Sequence, residues 1–111
     1  MIFIETSIAG AWLIEPSPKV DERGLFMRAW CRDEFAEAGI DFEPHQANLA
    51  SSRCAGTLRG LHYQDSPALE AKLIRCTTGA IFDVLVDLRV TSATFGGWFG
   101  AELSAANGRM L

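Results

Sequence analysis

The segment Arg59-Gly60-Leu61-His62-Tyr63-Gln64 carries one of the chain's two histidines directly after an arginine and a glycine, and Lys72 follows ten residues later. An imidazole titrates near neutrality, so it takes or gives a proton at physiological pH without extensive tuning. Two cations beside it suit a substrate that is itself anionic. The formal net charge is -4, so an anionic ligand requires a local cluster of cations within an acidic protein. Arg23, Arg59 and Lys72 are the candidates. Gln46 and Asn48 are two residues apart, share one face of a strand, and carry amides that bond sugar hydroxyls or a nucleotide base. Each has a plainer reading: a structural histidine bonded to backbone, a lysine on a strand edge, a surface-loop arginine, a solvated polar face.

Short strands are expected to position these groups. Ala11–Ile14, Leu25–Trp30, His45–Ser51, Thr57–Gln64, Ala71–Thr77, Ala80–Arg89 and Trp98–Leu103 all read as strands, separated by Gly, Pro, Ser and Asp turn chemistry. In the clearest of them, Asp83, Asp87 and Arg89 share one face, and Phe82, Val84, Val86 and Leu88 the other. One helix is expected over Asp33–Gly39, on the surface, with acidic residues in its first turn and glycine at its stop. Asp21-Glu22-Arg23-Gly24 reads as a polar loop, and Met110-Leu111 as the opening of another strand. Many short strands with one helix and no repeat predict an antiparallel β-sandwich or barrel in a single domain.

Composition removes other classes. The chain is 49% hydrophobic and 22% charged, which fits a globular rather than a disordered protein. No run of Lys and Arg marks a nucleic-acid binder. No segment supplies the roughly 18 apolar residues of a membrane span, and the N-terminus lacks the basic region of a signal peptide. Three cysteines without a C-x-x-C pattern point to reduced core thiols in a cytoplasmic protein.

Six stretches together carry a resemblance: Asp21-Glu22-Arg23-Gly24-Leu25-Phe26, Gln46-Ala47-Asn48, Leu58 to Gln64, Lys72 to Cys76, Gly79 to Val84, and Thr94-Phe95-Gly96. In order and spacing the chain resembles the dTDP-4-dehydrorhamnose 3,5-epimerase family over essentially all of residues 1–111. The resemblance implies an all-β cupin, or jelly-roll, fold, of which these residues form the N-terminal part. It implies an isomerase that removes protons beside the C4 ketone of a dTDP-4-keto-6-deoxyhexose, on the way to dTDP-rhamnose. His62 matches the base, and Lys72 is placed to stabilise the enolate. Arg59 and Arg23 match groups that clamp the diphosphate, with Phe26, Gln46 and Asn48 as further substrate contacts. Arg23 is expected to reach a neighbouring subunit of a homodimer. No metal and no redox cofactor is implied, in keeping with the lack of an H-x-H pair.

The chain departs from the family at Arg28, where an acidic residue is common, and at Ala47, where a polar one is frequent. Family members are longer, and their aromatic proton donor, a tyrosine, lies past the position of Leu111. A fragment or a natural truncation is therefore expected. Tyr63, the lone tyrosine, sits next to His62 and would face the opposite side of a strand. The rival to an epimerase is a non-catalytic β-domain that binds nucleotide sugar or only dimerises. Within the enzyme class, a single-position epimerase or ketoisomerase is the alternative.

Overall fold

The computed structural model describes all of residues 1–111. Strands β1 (Ile2–Glu5) and β2 (Trp12–Glu15) pair antiparallel, with Phe3 opposite Ile14. A second hairpin joins β3 (Lys19–Asp21) to β4 (Gly24–Phe26), turning at Glu22 and Arg23. Helix α1 (Arg32–Glu37) follows, and Gly39 at φ +75 ends it, a conformation glycine adopts without penalty. Strands β5 (Ala80–Val86) and β6 (Trp98–Ser104) form the longest ladder, in which Asp83 opposes Ala101 and Leu85 opposes Phe99.

The last two residues stitch separate segments together. Met110 donates its N–H to the Ile14 carbonyl at 3.0 Å and accepts from the Ile14 N–H at 2.8 Å. Leu111 and Ile74 exchange the same pair of bonds at 3.0 and 2.8 Å. Residues 110–111 therefore lie as a strand between β2 and residues 74–75, as their apolar pattern predicts. Their side chains divide between two core clusters. Met110 joins Ile14 and Phe35, while Leu111 joins Cys76, Ala101 and Leu103. Phe35 anchors α1 by meeting the ring of Phe3 edge-on at 5.1 Å, so the helix is a buried support on one face rather than a wholly surface element.

Several expected strands do not form. The strand read over Leu25–Trp30 ends at Phe26, and those over His45–Ser51 and Thr57–Gln64 are absent. Only residues 74–75 of Ala71–Thr77 are laddered. Residues 43–72 are exposed throughout, with a single backbone–backbone hydrogen bond among them, from Ala68 N–H to Asp65 O. A β-pattern becomes a strand only where a neighbour completes its ladder, and no other segment runs beside this one. Strands β1 and β3, by contrast, form without having been read from the sequence. Of the three cysteines, all free, Cys76 alone is buried; Cys31 is half-buried and Cys54 is exposed, against the expectation of core packing for each. No helix is long and apolar enough to cross a membrane.

The loop after β5 is organised by Asp87, which is buried. Its carboxylate accepts from Arg89 Nε and Nη2 at 2.8 Å each, Ser92 Oγ at 2.6 Å and Thr94 Oγ1 at 2.7 Å. Arg89 in turn donates to the Ala9 carbonyl at 2.8 Å, tying this loop to the β1–β2 turn. The Arg89 guanidinium first, then the two hydroxyls, hold the Asp87 carboxyl far below the usual carboxylate range. A depressed pKa favours the ionised form in the folded state. This stabilisation is present above the ordinary carboxylate pKa and is lost as pH falls below about 4. Asp87→Asn is expected to lower the melting temperature at pH 7 by on the order of 5 °C and to flatten the decline below pH 4. Melting curves from pH 2 to 7 check both.

Candidate active site

A cavity of about 670 Å³ opens beside the core, with Trp12, Ile14, Phe35, Leu85 and Leu111 on its apolar wall. Arg59, His62 and Lys72 line it together, as their spacing in sequence suggests. The acid–base group and two of the three predicted cations therefore share one concave space, a default setting for a binding site.

Each is held differently. Gly60 adopts φ +105, and a Cβ there would stand 3.3 Å from His62 Nδ1. The positive φ favours glycine here, and a Cβ would crowd the nearby imidazole. Arg59 Nη2 donates to the Ser51 carbonyl at 3.0 Å and to Ser52 Oγ at 3.4 Å. These partners are neutral, so its charge is not compensated by an ion pair. Lys72 Nζ pairs with Glu70 Oε1 at 2.7 Å, with the lysine side chain 43% exposed.

The other predicted contacts stand apart. Arg23, Phe26, Gln46 and Asn48 are exposed and do not line the cavity. Arg23 sits at the tip of the β3–β4 hairpin, 85% exposed, and pairs with Asp21 at 2.6 Å. The bond to Asp21 raises the Arg23 pKa, and the same bond lowers that of Asp21. Gln46 and Asn48 have no strand to give them a common face. The same loss of strand geometry corrects the expectation for Tyr63. It lines the same cavity as His62, because strict alternation does not hold where no strand forms. Arg28, at the position that departs from the family pattern, bonds Glu34 in the first turn of α1, and Glu34 also accepts from the N-terminal ammonium at 2.7 Å. The ammonium first and Arg28 second lower the Glu34 pKa.

Asp83 was not singled out from the sequence as a site residue. It is a lone charge within the apolar run Ile81-Phe82-Asp83-Val84-Leu85, and that isolation was the available signal. It lines the cavity from the same side of β5 as Leu85, opposite buried Ala101, while Phe82 on the other face is 66% exposed. The polar member of the strand, rather than its aromatic one, faces inward. Burial raises the Asp83 pKa, and a bond from the Val84 N–H only partly opposes it.

The family model of dTDP-4-dehydrorhamnose 3,5-epimerase matches residues 5–111. The chain belongs to this family. It is 46% identical over 112 residues to the dTDP-4-dehydrorhamnose 3,5-epimerase of Shigella flexneri, covering all of this chain and 61% of that protein. A dTDP-4-dehydrorhamnose 3-epimerase of Streptomyces niveus is 45% identical over 94% of the chain and 50% of the relative. The crystal structure of the 3,5-epimerase from Bacillus anthracis, with TDP and PPi bound, superposes with a TM-score of 0.94 at 42% identity, over 98% of this chain and 62% of that one. The architecture is thus the cupin fold of these epimerases, and the chain spans about 61% of the Shigella relative's length.

Gly60→Ala is expected to act on His62 rather than on global stability. The backbone strain is on the order of 1–3 kcal/mol, but segment 43–72 is not laddered and relaxes locally. Imidazole NMR signals of His62 should shift while those of exposed His45 stay in place. Denaturation by urea should move little.

Proposed function

We propose that the chain carries the base, the enolate cation and a phosphate-gripping arginine of a nucleotide-sugar epimerase. The proposed reaction is epimerisation of dTDP-4-dehydro-6-deoxyglucose at C3 and C5, towards dTDP-rhamnose. The observation that carries this reading is the single cavity lined by His62, Lys72 and Arg59 in a chain of this family.

His62 takes the proton from the carbon next to the C4 ketone. The electron pair left behind moves into the carbonyl, placing negative charge on its oxygen. The Lys72 ammonium meets that charge, lowering the barrier where it develops. Arg59, bonded only to neutral groups here, offers its guanidinium to the diphosphate. Reprotonation from the opposite face inverts the carbon. The family pattern assigns this donor to a tyrosine outside these residues, and Tyr63 is the candidate within them.

Residues 1–111 act in this reading as part of one cupin-like domain of a cytoplasmic homodimer. Val20, Leu25 and Phe26 leave apolar surface exposed on the hairpin that presents Arg23, which supports contact with a second copy. Three free cysteines fit a reducing compartment. The Streptomyces relative named as a 3-epimerase supports a second reading, epimerisation at one carbon.

Incubation with the keto sugar in deuterated water tests the proposal. Label at two carbons supports the 3,5-epimerase and label at one the single-position enzyme; no label from the wild-type chain contradicts both. His62→Ala should cut incorporation by about two to four orders of magnitude, and near-normal exchange would remove His62 from the role. Arg59→Ala should mainly raise KM, whereas Lys72→Ala should mainly lower kcat. Identical kinetic signatures in the two variants would overturn that division.

A further inference from the structure

Asp83 is a half-buried titratable group that the proposed mechanism does not use. Its Oδ2 is fully buried and has no hydrogen-bond partner. A carboxylate oxygen in that state is costly to the fold, and it persists where something else requires it. Burial raises its pKa, consistent with an acceptor that lacks its counter-charge.

The other titratable or charged side chains on the cavity wall are Asp41, Arg59, His62, Tyr63, Glu70 and Lys72. Two of these, Arg59 and Lys72, are basic side chains. Arg59 is tethered to Ser51 and Ser52, on the segment before the histidine. Lys72 is held only by Glu70, two residues away in sequence, in an exposed pair of the kind that solvent screens. Lys72 lines the cavity two residues before the laddered pair 74–75. Ile74 and Cys76, two and four residues on, pack into the core cluster that contains Ala101 and receives Leu85. Asp83 opposes Ala101 and precedes Leu85 by two, so it looks into the same interior from β5.

We propose that Asp83 is a positioning residue for Lys72. Its buried Oδ2 is the inner acceptor that holds the ammonium at the cavity wall during turnover, and Glu70 is a competing acceptor at the rim. The ammonium is shared between them. A carboxylate in a low-dielectric wall binds a cation more strongly than an exposed one, so the inner position is the one that fixes the charge over a reacting oxygen. Asp83 itself touches no substrate atom. The inference rests on the reading of Lys72 as the enolate cation.

Two measurements test it independently. The first needs no catalysis. Lys19 and Lys72 are the chain's two lysines, so trace acetylation read by mass spectrometry gives the Lys72 labelling rate with Lys19 as internal reference. Asp83→Asn should raise the Lys72/Lys19 ratio several-fold, and Glu70→Gln by less than twofold. A ratio that responds to Glu70→Gln alone, or to neither change, overturns the proposal. The second follows turnover. Asp83→Asn should lower kcat about 10- to 100-fold with KM within twofold, Asp83→Glu should recover part of the loss, and adding Asp83→Asn to Lys72→Ala should cost nothing further. A full additional loss in the double variant would show that Asp83 does not act through Lys72. If the wild-type chain exchanges no deuterium, the functional reading fails while the labelling ratio still decides the Asp83–Lys72 coupling. Asn is nearly isosteric and removes a buried unpaired charge, so Asp83→Asn should melt at or above the wild-type temperature at neutral pH.

Discussion

Four backbone hydrogen bonds through Met110 and Leu111 hold the site-bearing segments in place. They lock β2 to residues 74–75, which otherwise have no neighbour. Lys72 lies two residues from that lock, at the point where the chain leaves the ladder and enters the exposed stretch. Met110 is 1% exposed and fills one core cluster, Leu111 the other, so this short strand sets both the hydrogen-bond register and the packing. The cavity wall built on Ile14, Leu85 and Leu111 follows from the same stitch.

Charge is distributed to leave one cavity cation free of an anion. Arg23, Arg28, Arg32, Arg89 and Arg109 are each paired with a carboxylate, and Lys72 with Glu70. Arg59 meets only a carbonyl and a hydroxyl. In an acidic chain this is how an anion can still be attracted: most positive charges are spent locally, and one is held by neutral groups beside the imidazole. The contrast between Asp87 and Asp83, four residues apart, shows the same logic for carboxylates. Asp87 is surrounded by donors and sits far below its usual pKa, whereas Asp83 is half-buried with an unpartnered Oδ2 and sits above it.

The sequence was legible where local pattern and tertiary pairing agree. β5 and β6 have partners along their whole length, and the helix has its acidic first turn and Gly39. Arg59, His62 and Lys72, singled out from the motif around His62, line one cavity. Arguments from alternation failed where the ladder is missing: Gln46 and Asn48 share no strand face, and Tyr63 joins His62 instead of opposing it. Which part of β5 is buried was also not legible from hydrophobicity. Its alternation is clean, yet burial follows position along the strand rather than face: Ile81 and Phe82 are exposed, whereas Asp83, Val84, Leu85 and Val86 are half-buried and line the cavity.

If the cavity beside His62 is the proposed nucleotide-sugar site, nucleotide binding must perturb that imidazole. The chain's two histidines provide a direct reading, since His62 lines the cavity and His45 does not. Titration of thymidine diphosphate into the protein, followed through the imidazole NMR signals, should move His62 in a saturable way and leave His45 unchanged. Equal shifts at both histidines, or no shift at His62 with nucleotide bound, would place the nucleotide outside this cavity.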